Sequence, residues 1–226
     1  MDVTITPVVL GSVVCKFMLP MEIIDEINTL YDECRNLNEI NTLTPFNTEL
    51  AGKIKEEHLV NDILSESTKM AFVNCFAEYI RHIQKPFWGL SLANAWINEM
   101  KAGEYNPLHY HSSPQSDLGM SSVLVLKTPS TYGEEFSNPQ DPSNGYLEFT
   151  GGNQDPLGIS NFRTNAQVEE FYVFPYTMLH CVYPFNGTDE VRRTLSQNCD
   201  LLKLTSNIKN MAKSVERLDS VISEEK

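Results

Sequence analysis

Basic residues are scarce in this chain: 17 Lys+Arg stand against 30 Asp+Glu in 226 residues, a formal charge of −13. A groove for DNA or RNA backbone needs Lys and Arg to displace counterions, so nucleic acid is not an expected partner. The same deficit disfavours docking on an anionic membrane surface. Long apolar runs are missing too. None approaches the roughly 18–20 residues of a spanning helix, and Met1-Asp2-Val3-Thr4 has neither a basic nor an apolar leader region, so a cytoplasmic protein is expected. The five cysteines (Cys15, Cys34, Cys75, Cys181, Cys199) are scattered, with no C-x-x-C pair. That argues against a disulfide framework or a zinc knuckle and for reduced, packed thiols. No internal repeat is present.

With 41% apolar residues the chain can bury a full core, and its length suits one domain. Prolines divide it unevenly, three in residues 1–84 against eight in 107–184. The early part reads helical. Ile23, Ile24, Ile27, Leu30, Tyr31 and Cys34 recur at helical spacing after Pro20, and Ile63, Met70, Val73, Ala77, Ile80 and Ile83 predict a long helix over 59–84. Short strands are expected at 5–10 and 13–18. From about residue 90 the pattern changes to short strands, at 90–100, 105–111, 120–127, 145–150, 168–175, 178–183 and 191–204, separated by turn chemistry such as Asn144-Gly145 and Asn186-Gly187. The expected class is α+β, mainly β: a sandwich, jelly roll or small barrel with the early helices on one sheet. The expected single domain runs over 1–204, with helical support at 20–84 and a β core at 90–204. Residues 128–143, rich in Pro, Gly, Ser and acids, read as an exposed loop near the mouth of the β structure. Ile208, Met211, Val215, Leu218 and Ile222 form an apolar stripe, expected as a C-terminal helix over 205–226 that packs on the parent domain or contacts a second copy in a homodimer.

There are five histidines, and His58 and His82 read as ordinary surface positions. His109-Tyr110-His111 differs from them. On a strand, residues i and i+2 face one way, roughly 6.6 Å apart, so both imidazoles can reach one ion at about 2.0–2.2 Å. The third ligand must come from a neighbouring strand, and His180 is the histidine available in the β-rich half. Taken singly, each also fits an ordinary strand or core histidine. A cation adds to the pattern. Arg192-Arg193-Thr194-Leu195-Ser196-Gln197-Asn198 opens a strand on which Arg192, Thr194, Ser196 and Asn198 share a face. A guanidinium flanked by hydroxyls suits bidentate capture of a carboxylate. Arg193, on the other face, is expected to balance acids such as Asp189 and Glu190.

In order and spacing these residues resemble the Fe(II)- and 2-oxoglutarate-dependent oxygenases. The resemblance runs over about residues 92–200. It rests on Ala95-Trp96-Ile97-Asn98, Gly103, His109-x-His111, the strand from Ser121 to Leu126 with Pro129, Gly145-x-Leu147-x-Phe149, Phe174-Pro175-x-x-Met178-Leu179-His180-x-Val182-x-Pro184 and Arg192-x-Thr194-x-Ser196. It is similar to the prolyl-hydroxylase branch, and more so to a group whose first motif is also H-x-H. The resemblance implies a double-stranded β-helix (jelly roll, cupin-like). It also implies Fe(II) on His109, His111 and His180, with 2-oxoglutarate and O2 as co-substrates. The distal carboxylate of 2-oxoglutarate would pair with Arg192, helped by Ser196 or Thr194, with Asn106, Tyr105 and Tyr110 as further pocket candidates. The activity implied is hydroxylation, with release of succinate and carbon dioxide, of a peptide or protein side chain, prolyl above others, or of a small molecule. One departure from the family is plain, since most members have H-x-D or H-x-E. Asp117 is an alternative third ligand. A three-histidine dioxygenase that uses no keto-acid and a non-catalytic jelly-roll binding module are the competing readings.

Overall fold

The computed structural model describes residues 11–36, 43–48, 50, 52–84, 88–113, 116–136, 138–151 and 159–203. The expected strand at 5–10 and helix at 205–226, with any homodimer contact through it, lie outside them. The chain runs β1 (Cys15–Met18), α1 (Met21–Asn36), β2 (Thr44–Pro45), β3 (Glu56–Leu59), α2 (Glu66–His82), β4 (Trp88–Met100), β5 (Asn106–His109), β6 (Gly119–Lys127), β7 (Leu147–Thr150), β8 (Asn161–Thr164), β9 (Glu170–Pro175), β10 (Leu179–Val182) and β11 (Arg192–Lys203). The strands form a seven-stranded sheet, in order β1-β9-β6-β11-β4-β3-β2, and a four-stranded sheet, in order β5-β10-β7-β8. Every pairing is antiparallel. This is the expected jelly roll.

Alternation of side chains sorts the large sheet into two faces. Ala95, Ile97, Leu124, Leu126, Phe171, Val173, Leu195 and Cys199 join Ile24, Ile27 and Tyr31 of α1 and Phe72, Phe76 and Ile80 of α2 in one core. Their neighbours in sequence, Val123, Val125, Tyr172 and Phe174, pack with Leu147, Phe149, Met178 and Val182 in a second core between the sheets. Each such buried side chain contributes about 1.5–3 kcal/mol, and a slip of one residue in β6 or β9 would expose a whole face. The helices therefore lie on the outer face of the large sheet, as expected.

Three details differ from the sequence expectation. The helix over 59–84 is shorter: α2 starts at Glu66, where Ser65 caps it by accepting a hydrogen bond from the Thr68 amide at 3.1 Å. The preceding residues form β3, which joins the large sheet beside β4. His58, on β3, is half-buried, and its Nδ1 lies 2.9 Å from the Tyr31 hydroxyl. It is an inner hydrogen-bonding residue, not an ordinary surface one.

Candidate metal centre

β10 lies between β5 and β7, and its register sets His180 directly opposite His109. His111 follows β5 by two residues, and its backbone amide donates to the Tyr176 carbonyl at 2.9 Å. Tyr176 is itself fixed by donating its hydroxyl to Asp200 at 2.9 Å. Gly119 is what admits this ring, since a Cβ there would come within 2.1 Å of it. The outcome is a convergence of three imidazoles: one ring nitrogen of each of His109, His111 and His180 lies within 4.8 Å of the others. The Nε2 atoms of His111 and His180 are 3.1 Å apart.

The hydrogen bonds on the far sides of these rings prepare them for an ion. His109 donates from Nδ1 to the Pro107 carbonyl at 2.7 Å, and His180 from Nδ1 to the Met178 carbonyl at 3.0 Å. With the proton held at Nδ1, the Nε2 lone pair of each points to the common centre. Burial against Phe174 and Phe149 keeps the rings uncharged. It presses the His180 pKa down to about 3, with the nearby His109 adding to the effect, and holds His111 well below its usual value for the same reason. Neutral imidazoles whose lone pairs converge over this span are a donor set that one divalent cation at about 2 Å can satisfy. Asp117, the alternative ligand, is exposed and stands outside the cluster.

These rings form one wall of a cavity of about 270 Å³ between the sheets. The opposite wall is the inner face of β4 and β11: Trp96, Asn98, Thr194, Ser196 and Asn198, with Asn106 of β5 at the side. Asn98 donates from Nδ2 to Thr194 and Ser196 at 3.5 and 3.3 Å, while its Oδ1 and that of Asn198 have no partner among the described residues. Two residues before Thr194, on the same face, Arg192 is 2% exposed, and its Nε and Nη2 find no acceptor among the described residues. Burial lowers its pKa from the ordinary value, opposed by the Tyr132 hydroxyl beside it. A guanidinium stripped of water with two idle donors is costly unless an anion joins it, so the chemistry of the residues fits a carboxylate beside Arg192, which itself stands behind the cavity lining, and metal-binding oxygens at the histidines.

Arg193, on the helix side, has both terminal nitrogens engaged, and only its Nε lacks a partner among the described residues. It donates to Asp32 at 2.6 Å, Asn28 at 2.9 Å and Glu99 at 3.0 Å, and lies over the Tyr31 ring. It does neutralise acids, but these come from α1 and β4, not from Asp189 and Glu190. The loop at 128–143 also departs from expectation. None of its described residues lines the cavity; Tyr132 instead packs on Phe185, and Gly133 against Asn186. The cavity rim comes from Phe46, Leu50 and Gly52 between β2 and β3, which sequence patterning had not marked. Tyr110 lines the cavity, while Tyr105 does not.

Comparison with known proteins agrees with this geometry. In the solved structures, a prolyl-4-hydroxylase from Pseudomonas putida is similar at 18% identity and a TM-score of 0.50, over 85% of this chain and 93% of that one. AviO1 from Streptomyces viridochromogenes Tue57 is similar at 11% identity and a TM-score of 0.54, over 84% and 89%. A Trichoplax adhaerens prolyl hydroxylase, solved with a hypoxia-inducible-factor peptide, is similar at 12% identity and a TM-score of 0.52, over 84% and 83%. These likenesses establish the jelly-roll class. No curated protein matches by sequence. Residues 94–198 match the family described as "Putative 2OG-Fe(II) oxygenase". That segment holds all three histidines and Arg192, and it is similar to the Fe(II)/2-oxoglutarate-dependent oxygenases, a superfamily whose cofactors are Fe(II), 2-oxoglutarate and O2. No helix among the described residues is long and apolar enough to cross a membrane.

Proposed function

We propose that this chain is a 2-oxoglutarate-dependent hydroxylase in which His109, His111 and His180 hold Fe(II), and whose substrate is a peptide or protein side chain, with prolyl the leading candidate. The observation that carries this reading is the pairing of two incomplete features in one sandwich: three neutral imidazoles converging from one sheet, and on the facing sheet a buried guanidinium without a counter-ion among the described residues. Arg192 takes the distal carboxylate of 2-oxoglutarate, and the hydroxyls of Thr194 and Ser196 supply hydrogen bonds along its length. Asn106 closes the side of the pocket. Bound there, the ferrous ion with 2-oxoglutarate and O2 supplies oxidation of a C–H bond, with succinate and carbon dioxide released. The protein positions the reactants, with Trp96, Val123 and Val182 as the apolar part of a mostly polar lining. A cavity this small is at the low end for ligand sites, which suits the co-substrate plus one side chain.

Three imidazoles without a carboxylate also fit an iron dioxygenase that uses no keto-acid. That chemistry, like a non-catalytic binding role, leaves Arg192 without an anion, so the keto-acid reading accounts for more of the site. Anaerobic titration of Fe(II) and then 2-oxoglutarate tests it. The expected result is a weak visible charge-transfer band that is absent from His180→Ala; a wild-type protein that takes iron but gives no band with 2-oxoglutarate would overturn it.

A further inference from the structure

One buried acid in the cavity is unaccounted for by metal or co-substrate. Glu57, on β3 opposite Asn98 of β4, is 1% exposed and lines the same cavity as the three histidines. Neither of its carboxylate oxygens has a hydrogen-bond partner among the described residues. A Cβ built on Gly52 would meet the Asn106 carboxamide at 2.3 Å and Glu57 Oε1 at 3.4 Å, so the bare glycine leaves room for both polar groups at one spot. No lysine or arginine is among the lining residues. A second acid, Glu104, lies near enough to raise the Glu57 pKa further, after burial has done most of the work.

A buried carboxyl with idle oxygens costs free energy unless something donates to it. Two nearby donors are spent elsewhere: the Asn98 amide turns to Thr194 and Ser196, and the Lys101 ammonium to Glu56. The Glu57 oxygens are thus open to a donor carried by a ligand, and that ligand is not 2-oxoglutarate, which is an anion. We propose that Glu57 is the specificity-determining acceptor of this cavity and receives an ammonium or guanidinium group carried by the primary substrate. The inference rests on the oxygenase reading and narrows its substrate class: the substrate brings a basic side chain into the cavity, and a prolyl substrate does so with a residue beside the proline. Asn106, next to Glu57, offers a second polar contact for the same nitrogen.

The test uses the full chain loaded with Mn(II), in place of Fe(II), and 2-oxoglutarate. Calorimetry then measures binding of two blocked amino acids with the same four-carbon side chain, N-acetyl-lysine methylamide and N-acetyl-norleucine methylamide, of which only the first carries an ammonium. The wild type is expected to bind the lysine probe at least tenfold more tightly, Glu57→Asp to keep part of that preference, and Glu57→Gln to lose it. Equal affinities in the wild type, or a preference that survives in folded Glu57→Gln, overturn the proposal; the wild-type comparison decides even if a variant fails to fold. The Mn(II) and 2-oxoglutarate titrations read the oxygenase site separately. Protein that binds both yet ignores the probe charge overturns the role of Glu57 alone, whereas protein that binds neither and still prefers the lysine probe overturns the oxygenase reading and keeps the acceptor.

Discussion

The two faces of the large sheet are built from the same strands, and along β4 and β11 they differ sharply in chemistry. Toward the helices, β4, β6 and β11 present Ala95, Ile97, Leu124, Leu126 and Leu195, all buried in an apolar core. Toward the small sheet, β4 and β11 present Asn98, Thr194, Ser196 and Asn198, equally buried but polar, and the two asparagines have idle oxygens. Adjacent arginines show the contrast best. Arg193 on the helix face has Asp32, Glu99 and Asn28, whereas Arg192 on the inner face has two nitrogens with no acceptor among the described residues. One face is complete without a ligand and holds the fold; the other is incomplete and waits for one.

The largest way to break this contrast is at the imidazoles. His180→Ala removes the central member of the cluster, and binding of one equivalent of Mn(II), followed by its electron-spin signal, is expected to disappear while the circular dichroism stays native. Next come the arginines, which should respond in opposite directions. Arg192→Met is expected to weaken 2-oxoglutarate binding by about 30-fold or more, the worth of a buried charge-assisted pair, without lowering the urea midpoint of the protein alone, since an unpaired cation has been removed. Arg193→Met should lower stability by about 1–3 kcal/mol by leaving Glu99 with Arg35 alone, with little effect on 2-oxoglutarate affinity. If both variants unfold alike, the two faces do not differ as described.

A smaller effect tests the inner face through pH. Burial first, and Glu104 second, push the Glu57 pKa up from 4.5 to about 7. The folded state therefore holds this proton more tightly than the unfolded chain does, and the group costs nothing below about pH 4.5. Its penalty grows as pH rises and is complete above about 7. Without ligand, Glu57→Gln should accordingly be more stable than wild type by about 1–3 kcal/mol at pH 8, with the gap closing toward pH 4.5; denaturant midpoints at the two pH values read it directly. Smallest of all, Ser196→Ala removes one weak acceptor of Asn98, and should change 2-oxoglutarate affinity a few-fold and stability by under about 1 kcal/mol.

The same contrast explains what could be read from sequence. Strands β4, β6, β9 and β11 were legible because alternation on a half-buried sheet writes itself into the residue order, and the jelly roll with outer helices followed from them. His109 and His111 stood out because they share a face at i and i+2, and Arg192 because its neighbours at i+2 and i+4 are hydroxyls. Glu57 could not be found that way. Lys55-Glu56-Glu57-His58 looks like solvated surface, and only the pairing of β3 with β4 turns Glu57 inward while Glu56 meets Arg35 and Lys101 outside. The partners of Arg193 were missed for a related reason: Asp32 and Asn28 are more than 160 residues away, and proximity along the chain favoured Asp189 and Glu190. Ser65 was a cap signal within reach, since a serine three residues before Thr68 can accept its amide. The loop at 128–143 was placed at the mouth by composition alone, which carries no information about which end of a sandwich a loop covers.

The facing of His109 and His180 across β5 and β10 has a mechanical side. β5 is four residues long and lies at the border of its sheet, tied by few backbone bonds. An ion gripped from both strands, and by His111 just past the end of β5, would rivet that border to its inner neighbour. Loading the centre and fastening this rim then become one event, with the loose state reserved for the empty protein.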